Sequence, residues 1–358
     1  MAIALEWAAK GMYTTTPNPR VGCILVQHGQ VIGAGHTQPA GQAHAEIQAL
    51  NDAARRGIDV RGATAYVTLE PCSHFGRTPP CADALVKAGV ARVVGAMADP
   101  NPLVAGQGYE RLRAAGIAVT SGVLEDAARE LNIGFFARMQ RGRPWVRMKA
   151  AASLDGKTAL HNGQSQWITS QTARDDGHQW RARACAIVTG IGTVIEDDPQ
   201  MTVRAVATPR QPQRIIVDSR LQIHPDARIL SGGGSLVVAA HGDTEKIARL
   251  ADTGTEVIVL PNRDGKVDLP AMIDELGRRQ CNELHVEAGF KLNGSLIREG
   301  CVDELLLYLA PTLLGDALGL YDLGVLDNLE QKRNLTFHEV RQIGADLRIL
   351  ARFSPIHP

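Results

Sequence analysis

The sequence has few cysteines and no long apolar run, and each scarcity excludes a class of protein. Its 358 residues include only 6 cysteines, too few for a secreted scaffold that depends on disulfides. We therefore expect a reducing, cytoplasmic location, where thiolates stay available for a metal. No stretch approaches the roughly 18 consecutive apolar residues of a membrane span. Glu6 and Lys10 interrupt the N-terminal run early, unlike a signal peptide.

Charge of either sign is not in excess. The chain carries 38 basic and 38 acidic side chains. Residues 1–144 hold 14 basic and 11 acidic ones, and the remainder holds 24 and 27. Neither half is basic enough for a large phosphate-backbone footprint, so we expect no nucleic-acid partner. A small basic pocket is still compatible with these counts.

The chain is long enough for two domains of ordinary size. Strand-like and helix-like runs alternate in both halves, which indicates α/β architecture. The basic stretch Arg138–Pro144 is non-periodic and contains glycine and proline, so we place the boundary there, with domains at residues 1–143 and 144–358. The predicted helices of the first half are 2–11, 43–56, 82–88 and 109–115. The predicted strands are 21–27, 31–34, 65–69, 92–96 and 117–120, then 146–150, 186–189, 214–217, 235–239, 256–260, 283–286 and 304–309.

One imidazole and two thiols of the first half occur in an order that predicts a zinc site. His44 begins an apolar-periodic helix, Cys72 follows a strand candidate, and Cys81 heads the next helix. This donor set can hold Zn²⁺ and leave the fourth position for water, which is the catalytic arrangement. A helix N-terminus stabilises thiolate, and zinc lowers the pKa of its bound water toward neutrality. Glu46 is placed to move a proton from that water to a ring nitrogen and the departing ammonia.

Other interpretations of the same residues stay open. The zinc-deaminase signature is His-x-Glu followed by Pro-Cys-x-x-Cys, whereas eight residues separate the two cysteines here. His74, within that spacer, could complete a structural site of four protein ligands, or the cysteines could be buried core thiols. At the level of function, a nucleic-acid-editing deaminase or a zinc-stabilised binding module would share the motif.

Polar residues around the motif are candidates for substrate binding. His74 and Arg77, both between the two cysteines, would suit an anionic group such as a phosphate, although a solvated loop would look the same. Asn18 can donate and accept hydrogen bonds at the edge of a ring, but alone it is also a common turn former. His36 adds a second imidazole on the approach to the metal.

The motifs together resemble one family, the bifunctional riboflavin-biosynthesis deaminase–reductases. The first half contains Thr-x-Pro-Asn-Pro-x-Val-Gly-Cys at residues 15–23, His-x4-Gly-x2-His-Ala-Glu at 36–46 and Pro-Cys-Ser-His-x-Gly-Arg-Thr-Pro-Pro-Cys at 71–81. The second half contains Lys-x-Ala-x-Ser-Leu-Asp-Gly-Lys at 149–157, Ser-Gln-Trp-Ile-Thr at 165–169 and Glu-Ala-Gly at 287–289. The resemblance spans essentially the whole chain in one order.

The resemblance implies a cytidine-deaminase-like α/β/α sandwich followed by a dihydrofolate-reductase-like α/β domain. It implies Zn²⁺-dependent deamination of 2,5-diamino-6-(5-phosphoribosylamino)pyrimidin-4-one, then reduction of the ribosyl group to a ribityl chain with NADPH. The partner is then a small phosphoribosyl pyrimidine, and we also expect a homo-oligomer. Many family members have Lys where Arg77 stands, and the positive charge is the same.

The second half supports a reductase only weakly without the resemblance. It lacks the Gly-x-Gly-x-x-Gly fingerprint of a Rossmann domain. The stretch Gly289–Ser295 opens a helix whose N–H groups could receive phosphate. By resemblance, the NADPH contacts are Ala151, Trp167, Thr193, Asp197, Ser219, Gly289, Phe290, Lys291, Leu292, Asn293, Gly294 and Ser295. By resemblance, the substrate contacts of this half are Lys149, Ser165, Arg181, Met201, Arg204 and Glu287.

Overall fold

The computed structural model describes residues 1–73, 79–101 and 104–354. The chain divides into two compact units, Met1–Gly142 and Arg143–Pro358. The division follows a helix that ends at Gly142, whose left-handed backbone (φ 70°) is a conformation that glycine adopts without strain. Within the described residues, no helix is both long and apolar enough to cross a membrane.

The first unit is a mixed sheet with helices. Its described strands have the order β2-β1-β3-β4-β5. Strand β1 is antiparallel to β2 and β3, whereas β3, β4 and β5 are parallel. The elements are α1 (Ala2–Ala9), β1 (Gly22–Gln27), β2 (Gln30–His36), α2 (Ala45–Arg55), β3 (Thr64–Val67), α3 (Cys81–Ala88), β4 (Arg92–Gly95), α4 (Gln107–Ala114), β5 (Ala118–Thr120), α5 (Glu125–Leu131) and α6 (Ile133–Arg141).

Helix α2 lies unusually close to strand β2, and this contact positions the start of the helix. The helix buries the small residues Ala45, Ala49 and Ala53. A Cβ on Gly35 of β2 would lie only 2.5 Å from the Ala45 carbonyl oxygen. Because only glycine leaves room for this approach, the first turn of α2 is held against the sheet.

The second unit is built on a larger sheet. Its described strands have the order β11-β10-β9-β8-β12-β6-β13-β16-β15, and β14 pairs separately with β7. The strands from β11 to β13 are parallel, and β16 and β15 add antiparallel pairs. The strands are β6 (Trp145–Ser153), β7 (Lys157–Ala159), β8 (Ala186–Gly190), β9 (Gln213–Val217), β10 (Leu236–Ala239), β11 (Glu256–Val259), β12 (Glu283–Val286), β13 (Glu304–Ala310), β14 (Leu318–Gly319), β15 (Leu335–Ile343) and β16 (Asp346–Phe353). The helices are α7 (Gln171–Arg183), α8 (Ile191–Asp197), α9 (Thr244–Ala251), α10 (Leu269–Arg278) and α11 (Phe290–Arg298).

Both faces of the parallel region are buried. On β9, Ile215 and Ile216 point to opposite faces and neither is exposed to solvent. Central parallel strands covered on both faces are apolar throughout, which is why these segments have short continuous apolar runs. Ligands of such sheets bind beyond the carboxyl ends of the strands, and Thr193, Ser219 and Glu287 follow strands β8, β9 and β12.

The predicted alternation of strands and helices is confirmed in both units, and the ends of the elements that were given bounds shift by at most three residues. Arg138–Arg141 was predicted to lie in a non-periodic linker, which is wrong, because these residues form the last turn of α6. The buried face of α6 comes from Ile133, Phe136 and Ala137, upstream of the basic residues. Strands β7, β14, β15 and β16 and helices α5 and α6 were not predicted.

Candidate active sites

His44, Cys72 and Cys81 converge in the first unit. Their ligand atoms all lie within 4.8 Å of one another. The Nδ1 atom of His44 is 3.6 Å from Cys72 Sγ and 3.4 Å from Cys81 Sγ. The backbone N–H of Cys81 donates to Cys72 Sγ at 3.3 Å. One imidazole nitrogen and two sulfurs at this spacing fit the donor set that Zn²⁺ prefers.

Three element ends bring these ligands together. His44 is the residue before helix α2, Cys81 is the first residue of α3, and Cys72 follows strand β3. The helix ends carry unsatisfied N–H groups that favour negative charge on sulfur. Contact with Cys81 and with His44 lowers the pKa of Cys72 to about 4, against the opposing effect of burial.

Glu46 lies beside this cluster in the first turn of α2 and is buried. Burial, followed by the negative charge of Cys72, raises the pKa of Glu46 to about 7 in the metal-free protein. The carboxyl group also contacts Cys81. A carboxyl whose pKa lies near neutrality can both accept and release a proton, as a general acid–base group must.

The other candidate residues of this unit are placed as follows. Asn18 lies in a turn, where its backbone N–H donates to the Thr15 carbonyl at 2.9 Å. His36 ends strand β2 and packs against Trp7, with ring centroids 6.1 Å apart. Burial and nearby Lys10 lower the pKa of His36, which favours the neutral ring. His74 and Arg77 lie outside the described residues.

In the second unit, Glu287 lies just after strand β12, and two cationic side chains surround its carboxylate. Arg181 of α7 donates to both carboxylate oxygens, Nη2 to Oε2 at 2.8 Å and Nε to Oε1. Lys149 Nζ on β6 is 4.0 Å from Oε2. Burial opposes ionisation of Glu287, but Arg181, Lys149 and His285 hold its pKa well below the usual range. Burial lowers the pKa of Lys149, against the attraction of Glu287.

Further substrate candidates border this cluster. Arg181 Nη1 donates to the Thr202 carbonyl at 3.2 Å, and its Nη2 lies 4.0 Å from the Met201 sulfur. Arg204 is exposed overall, but its guanidinium is partly desolvated. This desolvation and the charge of Arg181 lower the pKa of Arg204. Ser165 is half-buried in the segment before α7. The structure therefore brings Met201 to the Arg181–Glu287 pair.

The cofactor candidates occupy the neighbouring strand ends and helix starts. Gly289 precedes helix α11, and a Cβ on it would lie 3.6 Å from the Thr193 hydroxyl of α8. Asn293 is buried, and its Oδ1 has no hydrogen-bond partner. Gly294 lies against the Asp322 backbone, where a Cβ would approach the carbonyl oxygen to 2.0 Å. The remaining candidates differ in exposure: Lys291, Asp197 and Trp167 are exposed, and Ala151, Ser219, Phe290, Leu292 and Ser295 are half-buried.

Comparisons with known proteins match both units. The family model described as cytidine and deoxycytidylate deaminase zinc-binding region matches residues 1–97, and the RibD C-terminal domain matches residues 144–349. The chain is 46% identical to riboflavin biosynthesis protein RibD of Escherichia coli over 360 residues, covering 97% of this chain and 96% of that protein. The chain belongs to the RibD family.

Solved structures of RibD proteins have the same fold. The Acinetobacter baumannii RibD structure superposes with a TM-score of 0.89 at 41% identity, covering 99% of this chain and 97% of that one. The Thermotoga maritima structure, a diaminohydroxyphosphoribosylaminopyrimidine deaminase/5-amino-6-(5-phosphoribosylamino)uracil reductase, gives 0.89 at 30% identity, with the same coverage. The chain is therefore a bifunctional deaminase–reductase of riboflavin biosynthesis, as RibD proteins are.

Sequence reasoning missed three residues of this RibD chain that contact its sites. Glu70, two residues before Cys72, accepts from the Gly108 N–H of α4, and Arg111 of α4 donates to the carbonyl of Ser73, the residue after Cys72. His285 is buried, and its Nε2 lies 3.2 Å from Glu287 Oε1. A charged residue directly before Pro71-Cys72 could have indicated that Glu70 contacts the site. Arg111 gave no such indication, because its sequence pattern is that of an ordinary exposed helix residue.

Proposed function

We propose that the first domain, residues 1–143, deaminates 2,5-diamino-6-(5-phosphoribosylamino)pyrimidin-4-one at a Zn²⁺ held by His44, Cys72 and Cys81. The second domain, residues 144–358, then reduces the ribosyl group of the product to a ribityl chain with NADPH. The convergence of three zinc-type ligands beside a buried Glu46 carries the first part. The name of the Thermotoga maritima relative supports both substrates.

The first reaction exchanges a ring C–NH₂ for C=O, with one water consumed and one ammonia released. When bound, Zn²⁺ supplies Lewis-acid activation of water. Glu46 moves the protons in two transfers: its carboxylate takes one from the water and gives it to the ring nitrogen, then takes the second from the added hydroxyl and gives it to the leaving amine. Its burial keeps this transfer away from bulk solvent. Asn18 and His36 would orient the ring and its substituents.

Each domain would bind the substrate phosphate with its own residues. In the deaminase domain, His74 and Arg77 would bind it. In the reductase domain, Arg204 and Ser165 would bind it, with Met201 against the substrate. Guanidinium groups suit phosphate because they donate in a planar fork and stay charged at all relevant pH values.

In the reductase domain, Lys149, Arg181 and Glu287 would hold the ribose. NADPH, when bound, supplies a hydride. Glu287 accepts hydrogen bonds from ribose hydroxyls, and Arg181 keeps this carboxylate ionised and oriented. Lys149 Nζ lies 4.0 Å from Oε2 of Glu287, so the ammonium group can donate to a ribose oxygen bound beside that carboxylate.

The proposed NADPH contacts include residues of α8, the residue Ser219 after β9 and the start of helix α11. The N–H groups at the start of helix α11 would receive the cofactor phosphates. The unpartnered Oδ1 of buried Asn293 is a polar atom that a cofactor group could satisfy. The further contacts would be Ala151, Trp167, Thr193, Asp197, Ser219, Gly289, Phe290, Lys291, Leu292, Gly294 and Ser295.

The proposal includes a homo-oligomer in the cytoplasm without a nucleic-acid partner. It is tested by incubating the protein with the diaminopyrimidine ribotide, with and without NADPH. Ammonia release should not need NADPH, and NADPH oxidation should need prior deamination. Stripping the zinc with a chelator should abolish ammonia release and leave reduction of pre-deaminated substrate intact. Deamination of single-stranded oligonucleotides instead of the ribotide would favour the editing alternative, and no turnover of either would favour a binding module.

A further inference from the structure

Glu70 lies two residues before Cys72 and is buried, yet it takes no part in the proposed reaction. Its carboxylate accepts four backbone N–H groups instead. The donors Asp99 (3.0 Å) and Gly106 (2.9 Å) precede helix α4, and Gly108 (2.8 Å) and Tyr109 (3.3 Å) lie in its first turn. Hydrogen bonds from N–H groups to an ionised carboxylate are about twice as strong as neutral ones. Glu70 therefore binds its strand end tightly to the start of α4.

The helix also touches the backbone next to the ligand. A Cβ on Gly108 would lie 2.0 Å from the Pro71 carbonyl oxygen and 3.1 Å from Glu70 Oε1. Glycine is thus required for α4 to approach the Glu70-Pro71 peptide. The same segment has a separate anchor in the Tyr109 hydroxyl, which donates to the Met97 carbonyl at 2.8 Å.

One turn later, Arg111 of α4 contacts the segments of both cysteines. Its Nη1 donates to the carbonyl of Ser73, the residue after Cys72, at 2.9 Å. Its Nε lies 2.6 Å from the carboxylate of Asp83, two residues after Cys81. A single helix therefore holds the chain before and after Cys72 and also reaches the helix that Cys81 begins.

We infer that α4 is a clamp, made by Glu70, Gly108 and Arg111, that positions Cys72 and Cys81 to receive the metal. Groups outside the ligand shell that orient the ligands typically change metal affinity about 10- to 100-fold when they are removed. Glu70 and Arg111 are then positioning residues. The inference rests on the proposed zinc site.

Zinc retention by the full-length, zinc-loaded protein tests the clamp through Glu70. A colorimetric chelator in excess reports the rate at which zinc leaves, without any catalytic assay. Glu70→Gln should lose zinc about 10- to 100-fold faster, because the amide NH₂ would face two backbone donors in place of an acceptor oxygen. Tyr109→Phe is the matched control, since it removes a buried hydrogen bond of the same segment and should leave the rate unchanged.

Arg111→Ala keeps the test decisive even where Glu70→Gln does not fold, because Arg111 is largely exposed. Its zinc loss should be about tenfold faster than that of Arg113→Ala, on the same helix. The cobalt-substituted Arg111 variant should also show altered d–d absorption bands, since these report ligand geometry. Zinc loss from Arg111→Ala at the rate of Arg113→Ala, or from folded Glu70→Gln at the rate of Tyr109→Phe, overturns the clamp. Wild-type protein that takes up no zinc contradicts the proposed function itself.

Discussion

Arg181 and Glu287, 106 residues apart in sequence, form a two-pronged ion pair at the carboxyl end of strand β12. The pair is nearly buried, with side-chain exposures of 16% and 12%. Lys149 approaches the same carboxylate from β6, and His285 approaches it from β12 itself. Glu287 is therefore held ionised and oriented in a place with little solvent, and it is the residue on which the reductase geometry depends.

Glu287→Gln should lower reduction and leave deamination unchanged. The amide keeps the shape but cannot match the charge of Arg181 or accept as strongly from ribose hydroxyls. Hydrogen bonds to charged groups contribute about 1.5–3 kcal/mol, so kcat/KM for NADPH oxidation should fall about 10- to 100-fold. The assay uses pre-deaminated substrate, with Glu275→Gln on the exposed surface as the control. Unaltered substrate affinity in the Glu287 variant would argue against a ribose contact.

Glu46→Gln should keep zinc and lose deamination. A glutamine at this buried position cannot move protons, and general acid–base groups contribute about 10²–10⁴-fold to rate. Ammonia release should fall by that factor, whereas metal content by elemental analysis and NADPH oxidation with pre-deaminated substrate should not change. Deamination near the wild-type rate would show that another group carries the protons.

Arg147→Met should strongly destabilise the reductase unit. Arg147 is 2% exposed and pairs with Glu283 at 3.1 Å and Glu304 at 3.2 Å. Removing Arg147 leaves the buried carboxylate of Glu304 without its ion-pair partner and Glu283 with Arg183, and breaking such a buried pair costs about 3–5 kcal/mol. Urea unfolding followed by tryptophan fluorescence measures this, because Trp145, Trp167 and Trp180 all lie in this unit.

Arg279→Met is the matched control for the Arg147 variant. Arg279 also contacts two carboxylates, Glu256 and Glu275, but in a more exposed setting. Exposed pairs contribute about 0–1 kcal/mol, so its unfolding midpoint should move little. Equal destabilisation by the two variants would mean that burial of the Arg147 pairs has no special effect.

His285 should make the reductase unit less stable in mild acid. Burial lowers the pKa of His285 from 6.5, despite Glu287, with Arg147 and Arg181 lowering it further. The unfolded chain therefore binds a proton below about pH 6.5 that the folded chain does not. The stability that depends on the neutral ring is fully present above the unfolded pKa. The free energy of unfolding decreases as the pH falls from there toward the folded pKa.

The slope from this one group is at most about 1.4 kcal/mol per pH unit. His285→Gln should flatten the fall in the free energy of unfolding between pH 6.5 and 5, measured by denaturant titration at each pH. His224→Gln, on the exposed surface, is the control and should keep the wild-type slope. An identical pH dependence in wild type and His285→Gln would mean that the buried ring titrates normally.

Much of the fold and the metal centre could be predicted because their signals are local. The alternation of apolar strands with helices needs only neighbouring residues, and the zinc ligands are residue types with few other uses at element ends. Strand β15 was missed because it is largely exposed, so its few apolar residues mark no buried face. The helical turn at Arg138–Arg141 was missed because its basic composition hid the apolar face upstream.

The sequence by itself determined the donor types, the strand ends that carry them and the family to which they belong. Tertiary structure alone decided which distant groups meet: Arg181 and Lys149 at Glu287, and α4 against Glu70 and both cysteine segments. These contacts join residues that are far apart along the chain or, for Glu70, a carboxylate whose partners are backbone N–H groups. Neither kind has a periodic or compositional signal, because packing of whole elements sets the distances.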